Sequence, residues 1–288
     1  MIRLDAATFL LQWATGGLAF LWVTTRRREV GIGYGWLMRI VFGLLAVGAL
    51  LTGTFLAPLA GRDIASALVV TSAAWALVVS VVRRKAGVAG EHERRRDRQS
   101  RVAAMVETTS AAETSAPPQA VSSGREFPPS LDLVAPLIGV GGLVWASLAS
   151  GGPTGLALAR NLAGAAFLGA VSDAMLLGHW YLVQPGLGRG PLRELNRWLA
   201  ITWPAEVGAL LLPVGMVSVL SGSVNDGWGG TLGWFWLACA TATLGLTVVT
   251  HAALKEKSYS AVMAATGLLY LAIITAFGTD LVARAILA

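Results

Sequence analysis

Two carboxyl side chains lie inside long apolar stretches, where an ionisable group is costly and marks a candidate functional site. Asp173 comes about ten residues before the end of one apolar block, and Glu206 comes eight residues into the next. At 1.5 Å per helical residue, these depths are roughly 15 Å and roughly 12 Å from the same end. If the two blocks form antiparallel neighbouring helices, the carboxyls can face one another and share a proton. The pair is a candidate proton relay, and the alternative is that each acid only fixes helix packing.

Aromatic and imidazole side chains gather near the same end of these two blocks. His179, Trp180 and Tyr181 follow one another at the end of the first block, and Trp203 lies in the second. These four are candidate ligand-binding residues: His179 would hold a quinone carbonyl, and the aromatic rings would flank the quinone ring. The alternative for Trp180 and Tyr181 is an aromatic belt at the membrane interface.

The other residues that could bind a cofactor or take part in catalysis support no further site. His251 ends a later block on the same side, so His179 and His251 are weak candidates for axial haem ligands. Such a site is disfavoured because His251 lies at the interface. The pattern determines no cofactor, and a quinone is compatible with it. Cys239 is the single cysteine, which excludes an intrachain disulfide and a thiolate zinc cluster. No metal-ligand cluster, phosphate loop or nucleophile elbow is present, so nothing indicates an enzyme acting on its own.

The sequence predicts that transmembrane helices hold these residues in place. Of 288 residues, 55% are hydrophobic and 13% are charged, whereas a soluble domain usually has about 25% charged residues. The apolar residues form long blocks without period-two alternation, which predicts an all-α, polytopic transmembrane bundle. The predicted spans, about eight in number, are Ala6–Thr24, Trp36–Pro58, Ile64–Val82, Leu131–Ala149, Leu156–Val183, Trp198–Leu220, Thr231–His251 and Tyr259–Leu281.

The distribution of positive charge predicts the orientation of the spans. Eighteen of the 22 lysines and arginines fall on one side and four on the other. The basic side is the cytoplasmic one, so both termini are non-cytoplasmic. We expect Arg39, near the cytoplasmic start of the second span, to extend its side chain to the interface. These features predict a multi-pass protein of the cell membrane.

The composition divides the chain into a three-helix unit (1–84), a cytoplasmic linker (85–130) and a five-helix unit (131–288). The linker begins with a basic run and continues rich in Ser, Thr, Ala and Pro, which predicts disorder. A short helix over Glu91–Val106 is an alternative for part of it. A basic run beside a helix end attracts anionic lipid, so we expect the bilayer, and not nucleic acid, as its partner.

Three functions are compatible with this pattern. The first is a membrane subunit of a redox complex, handling quinone or protons with partner subunits. The second is a proton-coupled transporter of a small solute, suggested by Pro204 and Pro213, which can kink the sixth span beside Glu206. The third is a non-catalytic scaffold or assembly factor that uses the basic linker.

Overall fold

The computed structural model describes residues 5–27, 29–85, 100, 127–184 and 186–287. Within these ranges the chain is helical and contains no β-strand, as predicted. The helices described from end to end are α1 (Ala6–Thr25), α2 (Ile32–Leu56), α3 (Ala60–Val82), α4 (Val134–Leu148), α5 (Thr154–Val183), α6 (Gly190–Leu211), α7 (Gly215–Leu220), α8 (Thr231–Ala253) and α9 (Tyr259–Leu287). Two 3₁₀ turns, Arg83–Lys85 and Pro129–Leu133, flank the linker.

Seven helices in the described part of the chain are long and apolar enough to cross a membrane. They are α1, α2, α3, α4 with the 3₁₀ turn before it, α5, α8 and α9. This is the architecture of a multi-pass membrane protein. The eighth crossing, the side of the membrane that each end faces and the identity of the membrane stay predictions.

The sixth predicted span, Trp198–Leu220, differs from the structure. α6 begins earlier, at Gly190, and ends at Leu211, and the chain becomes helical again only at Gly215. Pro213 lies in the gap, and proline has no N–H to continue a helix and clashes with the preceding turn. The segment predicted as one span is therefore two helices, with an unwound break over residues 212–214.

α1 and α5 are the interior helices of the bundle, and their close approach depends on glycine. A Cβ added to Gly16 of α1 would lie 1.8 Å from the carbonyl oxygen of Ala165, and one added to Gly169 would lie 2.3 Å from the Gly16 backbone. Small residues let membrane helices approach to backbone contact. Gly169 therefore allows the backbones of α1 and α5 to touch.

The first turn of α1 and the last turn of α9 lie at the same end of the bundle, which we call the terminal end. Arg62, at the start of α3, pairs with Asp5 at the start of α1. At the other side of this end, Arg284 of α9 donates to Asn161 at the start of α5, which donates to Ser147 at the end of α4. Both described ends of the chain therefore lie at one end of the bundle, and the number of crossings stays a prediction.

The opposite end, which we call the linker end, is where Arg39 pairs with Asp132 of the second 3₁₀ turn. The Arg39 side chain is 2% exposed, so the expectation that it reaches the interface is wrong. The Phe127 ring lies over its guanidinium at 4.5 Å. Residues 86–99 and 101–126, with the predicted disorder and most of the alternative helix, lie outside the described residues. The helices before and after the linker pack directly together through α1, α3, α4 and α5.

Candidate functional site

Asp173 occupies an interior position of α5. The side chain is 0% exposed. Among the described residues, neither of its carboxylate oxygens has a hydrogen-bond partner. A buried carboxylate with no donor is strongly disfavoured relative to a protonated acid or a hydrogen-bonded one. The buried Asp173 carboxyl therefore requires either a bound proton or a hydrogen-bond donor.

Tyr34 of α2 is the nearest polar neighbour of Asp173. Its hydroxyl faces the carboxyl, is itself fully buried and has no hydrogen-bond partner of ordinary geometry. Thr24 of α1 lies beside the same hydroxyl. The Trp180 ring packs edge-on against Tyr34, with 6.0 Å between ring centroids. Asp173 and Trp180 thus lie on one face of α5, as the seven-residue spacing predicts.

Glu206 on α6 is equally buried but has different neighbours. It is 0% exposed, and neither of its carboxylate oxygens has a hydrogen-bond partner in the described part of the chain. The groups that act on it electrostatically are Asp280 and Arg284 of α9 and Arg160 of α5. Glu206 therefore belongs to a polar cluster near the terminal end.

Asp280 and Arg284 form the centre of this cluster. Nε of Arg284 donates to both Asp280 oxygens at 2.9 Å. Its Nη1 donates to Asn161 Oδ1 at 3.1 Å, and its Nη2 donates to the carbonyl of Arg160 at 3.1 Å. Arg160 in turn donates to the carbonyl of Ala209 at 3.0 Å and to another at the end of α6. The cluster joins α5, α6 and α9.

The described contacts do not bring Asp173 and Glu206 together. Asp173 lies roughly 15 Å from the linker end of α5, whereas Glu206 lies roughly 24 Å along α6 from Gly190. The expectation of similar depth is wrong because α6 begins before Trp198. Each acid has its own partners, and the proton-relay roles stay predictions that apply to two separate places.

The predicted ligand-binding aromatic residues point in different directions. Tyr181 is buried and donates to the carbonyl of Gly188 in the loop after α5. Trp203 donates to the carbonyl of Ala240 on α8 at 2.9 Å. Trp180 borders the Asp173 site through Tyr34, and its Nε1 donates to Gln184 at 3.0 Å. Tyr181 also acts electrostatically on Tyr34. The structure does not assemble them around one ligand.

The two candidate haem ligands, His179 and His251, are exposed on the outside of the bundle. His179 Nδ1 lies 2.9 Å from the Tyr270 hydroxyl of α9, and His251 is near the end of α8. Neither ring points into the interior, so the structure offers no support for an enclosed haem between them. No group of three His, Cys, Asp or Glu side chains in the described residues could hold a metal ion.

Tyr34, Asp280 and Arg284 are not among the residues predicted from the sequence. Asp280 and Arg284 offered a signal, because an acid near the end of a predicted span and a base four residues later form a pair along one helix face. Tyr34 offered none, since a tyrosine near a helix start is ordinary at a membrane interface.

Comparison of the chain with protein-family models, with curated proteins and with solved structures finds no match. The fold and the two buried carboxyls are those of a multi-pass helical membrane protein.

Proposed function

We propose that this is a proton-handling membrane protein in which Asp173, with Tyr34 beside it, takes up and releases a proton within the bundle. In this proposal the basic linker contacts anionic lipid, and the protein works beside partner subunits in the cell membrane. The observation that carries the proposal is a carboxyl that is 0% exposed and has no hydrogen-bond partner in the described chain.

The neighbours of Asp173 support a path to the linker end. Tyr34 is the third residue of α2, and Thr24 is the last residue but one of α1, so both elements begin or end at the linker end. Their hydroxyls can each donate and accept a proton. A proton that enters from that end would reach Asp173 through these two groups.

The quinone variant of the hypothesis has weaker support. Tyr181 and Trp203 bond to backbone carbonyls in different places. His179 pairs with Tyr270 on the outer surface, turned away from Tyr34. A quinone would therefore contact His179 from the lipid side, without the flanking aromatic rings that the sequence hypothesis requires.

Infrared difference spectroscopy of the protein in lipid nanodiscs tests the proposal. We expect a protonated carboxylic acid band that is lost in Asp173→Asn and shifts on transfer to deuterium oxide. Asp226→Asn, which changes an exposed loop carboxyl, is the matched control and should keep the band. Absence of an Asp173 band at every pH, or a band that never exchanges with deuterium, would contradict a proton-handling role.

Proton flux in vesicles is the functional measurement. If the protein conducts protons alone, we expect Asp173→Asn to lower the flux on the order of 100-fold, the scale of a positioned proton-transfer group. If flux needs partners, the same loss should appear in the purified complex. Full flux in Asp173→Asn in both settings would overturn the proposal.

A second candidate function is proton-coupled transport of a small solute. The break between α6 and α7 favours it, because discontinuous helices supply the binding sites of many transporters. A ligand screen by thermal shift would find the solute, since a ligand that binds the native state stabilises it. If uptake of that solute is changed neither by a pH gradient nor by the Glu206→Gln substitution, this candidate function is excluded.

A further inference from the structure

We propose that Glu206 and Asp280 form a carboxyl pair that binds one exchangeable proton near the terminal end, as a second proton site separate from Asp173. The pair lies between α6 and α9, with α5 beside both. The inference does not depend on Asp173 and goes beyond the proposed function by naming a different site and its ligand.

The charge on Asp280 is already balanced. Both of its oxygens accept from Nε of Arg284 at 2.9 Å, and the carboxylate is 0% exposed. Such charge-assisted bonds stabilise the ionised form of an acid. Asp280 is therefore the member of the pair that carries the negative charge.

The other cation near Glu206 is Arg160, whose guanidinium donates to backbone carbonyls. Arg160 donates its Nε to the carbonyl of Ala209 and its Nη2 to that of Leu212, at 3.0 Å and 2.7 Å. Helix ends carry unpaired carbonyls, and an arginine that holds them caps the helix. Arg160 thus stabilises the end of α6, and it makes no hydrogen bond to Glu206.

Glu206 is left as a buried carboxyl with no donor. Two adjacent carboxylates repel one another, and a single shared proton removes the repulsion. The proton forms an O–H bond on a Glu206 oxygen, and an Asp280 oxygen accepts the hydrogen bond. On release, the proton leaves to water and the four charged groups sum to zero, with Arg160 and Arg284 opposite the two carboxylates.

The charged groups that face Glu206 come from α5 and α9, and α1, which also contacts α6, has no ionisable side chain. α5 presents Arg160 and α9 presents Asp280 and Arg284. α7 has no ionisable side chain. The ionisable residues of α8 are Cys239, packed against α9 at Gly278, and His251, located near the linker end.

Gln12 of α1 is a further indication of a ligand at this place. Its amide lies against Gly164 of α5, where an added Cβ would be 2.2 Å from Nε2 and 2.9 Å from Asp280 Oδ1. Gln12 is 0% exposed, and neither amide atom has a hydrogen-bond partner in the described residues. The O–H group of the protonated carboxyl, or a water molecule hydrogen-bonded to it, would supply the partner that the Gln12 amide lacks.

Selective isotope labelling distinguishes this site from Asp173. Protein grown with carboxyl-labelled [¹³C]glutamate shifts the infrared bands of glutamate and leaves those of aspartate in place. The described glutamates other than Glu206 are Glu29, Glu194 and Glu256, and none of these is buried. A ¹³C-sensitive acid band at neutral pH in unmodified protein is therefore expected from Glu206, and Glu206→Gln confirms its origin by removing it.

The role of Asp280 in the pair is tested through the infrared band of Glu206. Asp280→Glu, which keeps the charge, should shift the band in frequency, and Asp280→Asn should shift it further. The band should also disappear as pH rises and should exchange in deuterium oxide. The inference is overturned if no ¹³C-sensitive acid band is found at any pH, if the band never titrates, or if neither Asp280 variant shifts it. The Asp173 band does not change on glutamate labelling, so it tests the Asp173 site separately.

Discussion

The guanidinium of Arg39 holds both oxygens of Asp132, with Nε to Oδ1 at 2.8 Å and Nη2 to Oδ2 at 2.9 Å. Ser80 accepts from Nη1 at 3.3 Å and Thr25 donates to Oδ2 at 3.0 Å. One ion pair, with side chains 2% and 1% exposed, therefore connects α1, α2, α3 and the turn before α4. It fixes where the chain re-enters the bundle after the linker.

Breaking this pair should destabilise the bundle. Arg39→Met leaves the Asp132 carboxylate buried without its partner, which typically costs about 3–5 kcal/mol. Replacing both partners, as in Arg39→Met with Asp132→Leu, should recover most of the loss because no charge stays buried. Denaturant unfolding in detergent micelles measures both variants. Equal instability of the single and double variants would contradict this account.

The glycine contact between α1 and α5 gives a packing prediction. Gly169→Ala places a methyl group 2.3 Å from the Gly16 backbone, and overpacking of this kind costs about 1–3 kcal/mol. Gly141→Ala is the matched control, since nothing lies within 4 Å of its Cβ position. Thermal unfolding should show a loss for Gly169→Ala and none for Gly141→Ala. Equal stability of the two would mean that the helices separate freely here.

Tyr34 should control the Asp173 acid band. Tyr34→Phe removes the hydroxyl that faces the carboxyl, so the band should shift in frequency without being lost. Tyr270→Phe, which removes the hydroxyl next to His179, should leave it unchanged. The measurement is the infrared difference spectrum of each variant. A shift in Tyr270→Phe alone would place the acid proton near His179 instead.

The loop before α8 should loosen in acid. The backbone N–H groups of Gly230, Trp228 and Leu232 donate to the Asp226 carboxylate at 2.8–2.9 Å. These bonds, that of Gly230 foremost, lower the pKa of Asp226. An acid whose pKa is lowered by folding stabilises the fold above its unfolded pKa, and the contribution is lost as pH falls through the folded value.

Hydrogen exchange measures this effect at the Leu232 amide. Relative to its intrinsic rate, exchange should accelerate in acid and should already be fast at neutral pH in Asp226→Ala. Asp226→Asn should lie between the two, because its amide oxygen accepts more weakly. Protection of Leu232 that is the same in all three proteins would show that other contacts hold the loop.

Several elements could be predicted because their signal is local. The apolar blocks that became α1, α5, α8 and α9 contain enough consecutive apolar residues to identify membrane helices. The bounds of the sixth predicted span, Trp198–Leu220, differ from those of α6 because the first turns of α6 are polar and Pro213 interrupts the segment near its end. The shared face of Asp173 and Trp180 also followed from helical periodicity.

Apolar blocks that contain single acids predict a bundle of apolar helices with buried carboxyls. That Asp173 faces Tyr34 and that Glu206 lies beside Asp280 follows from the packing of the helices. Side-chain partners across a bundle depend on where each helix begins and how it is rotated. Those quantities are set by packing between residues far apart in the chain, as for Arg39 and Asp132, which are 93 positions apart.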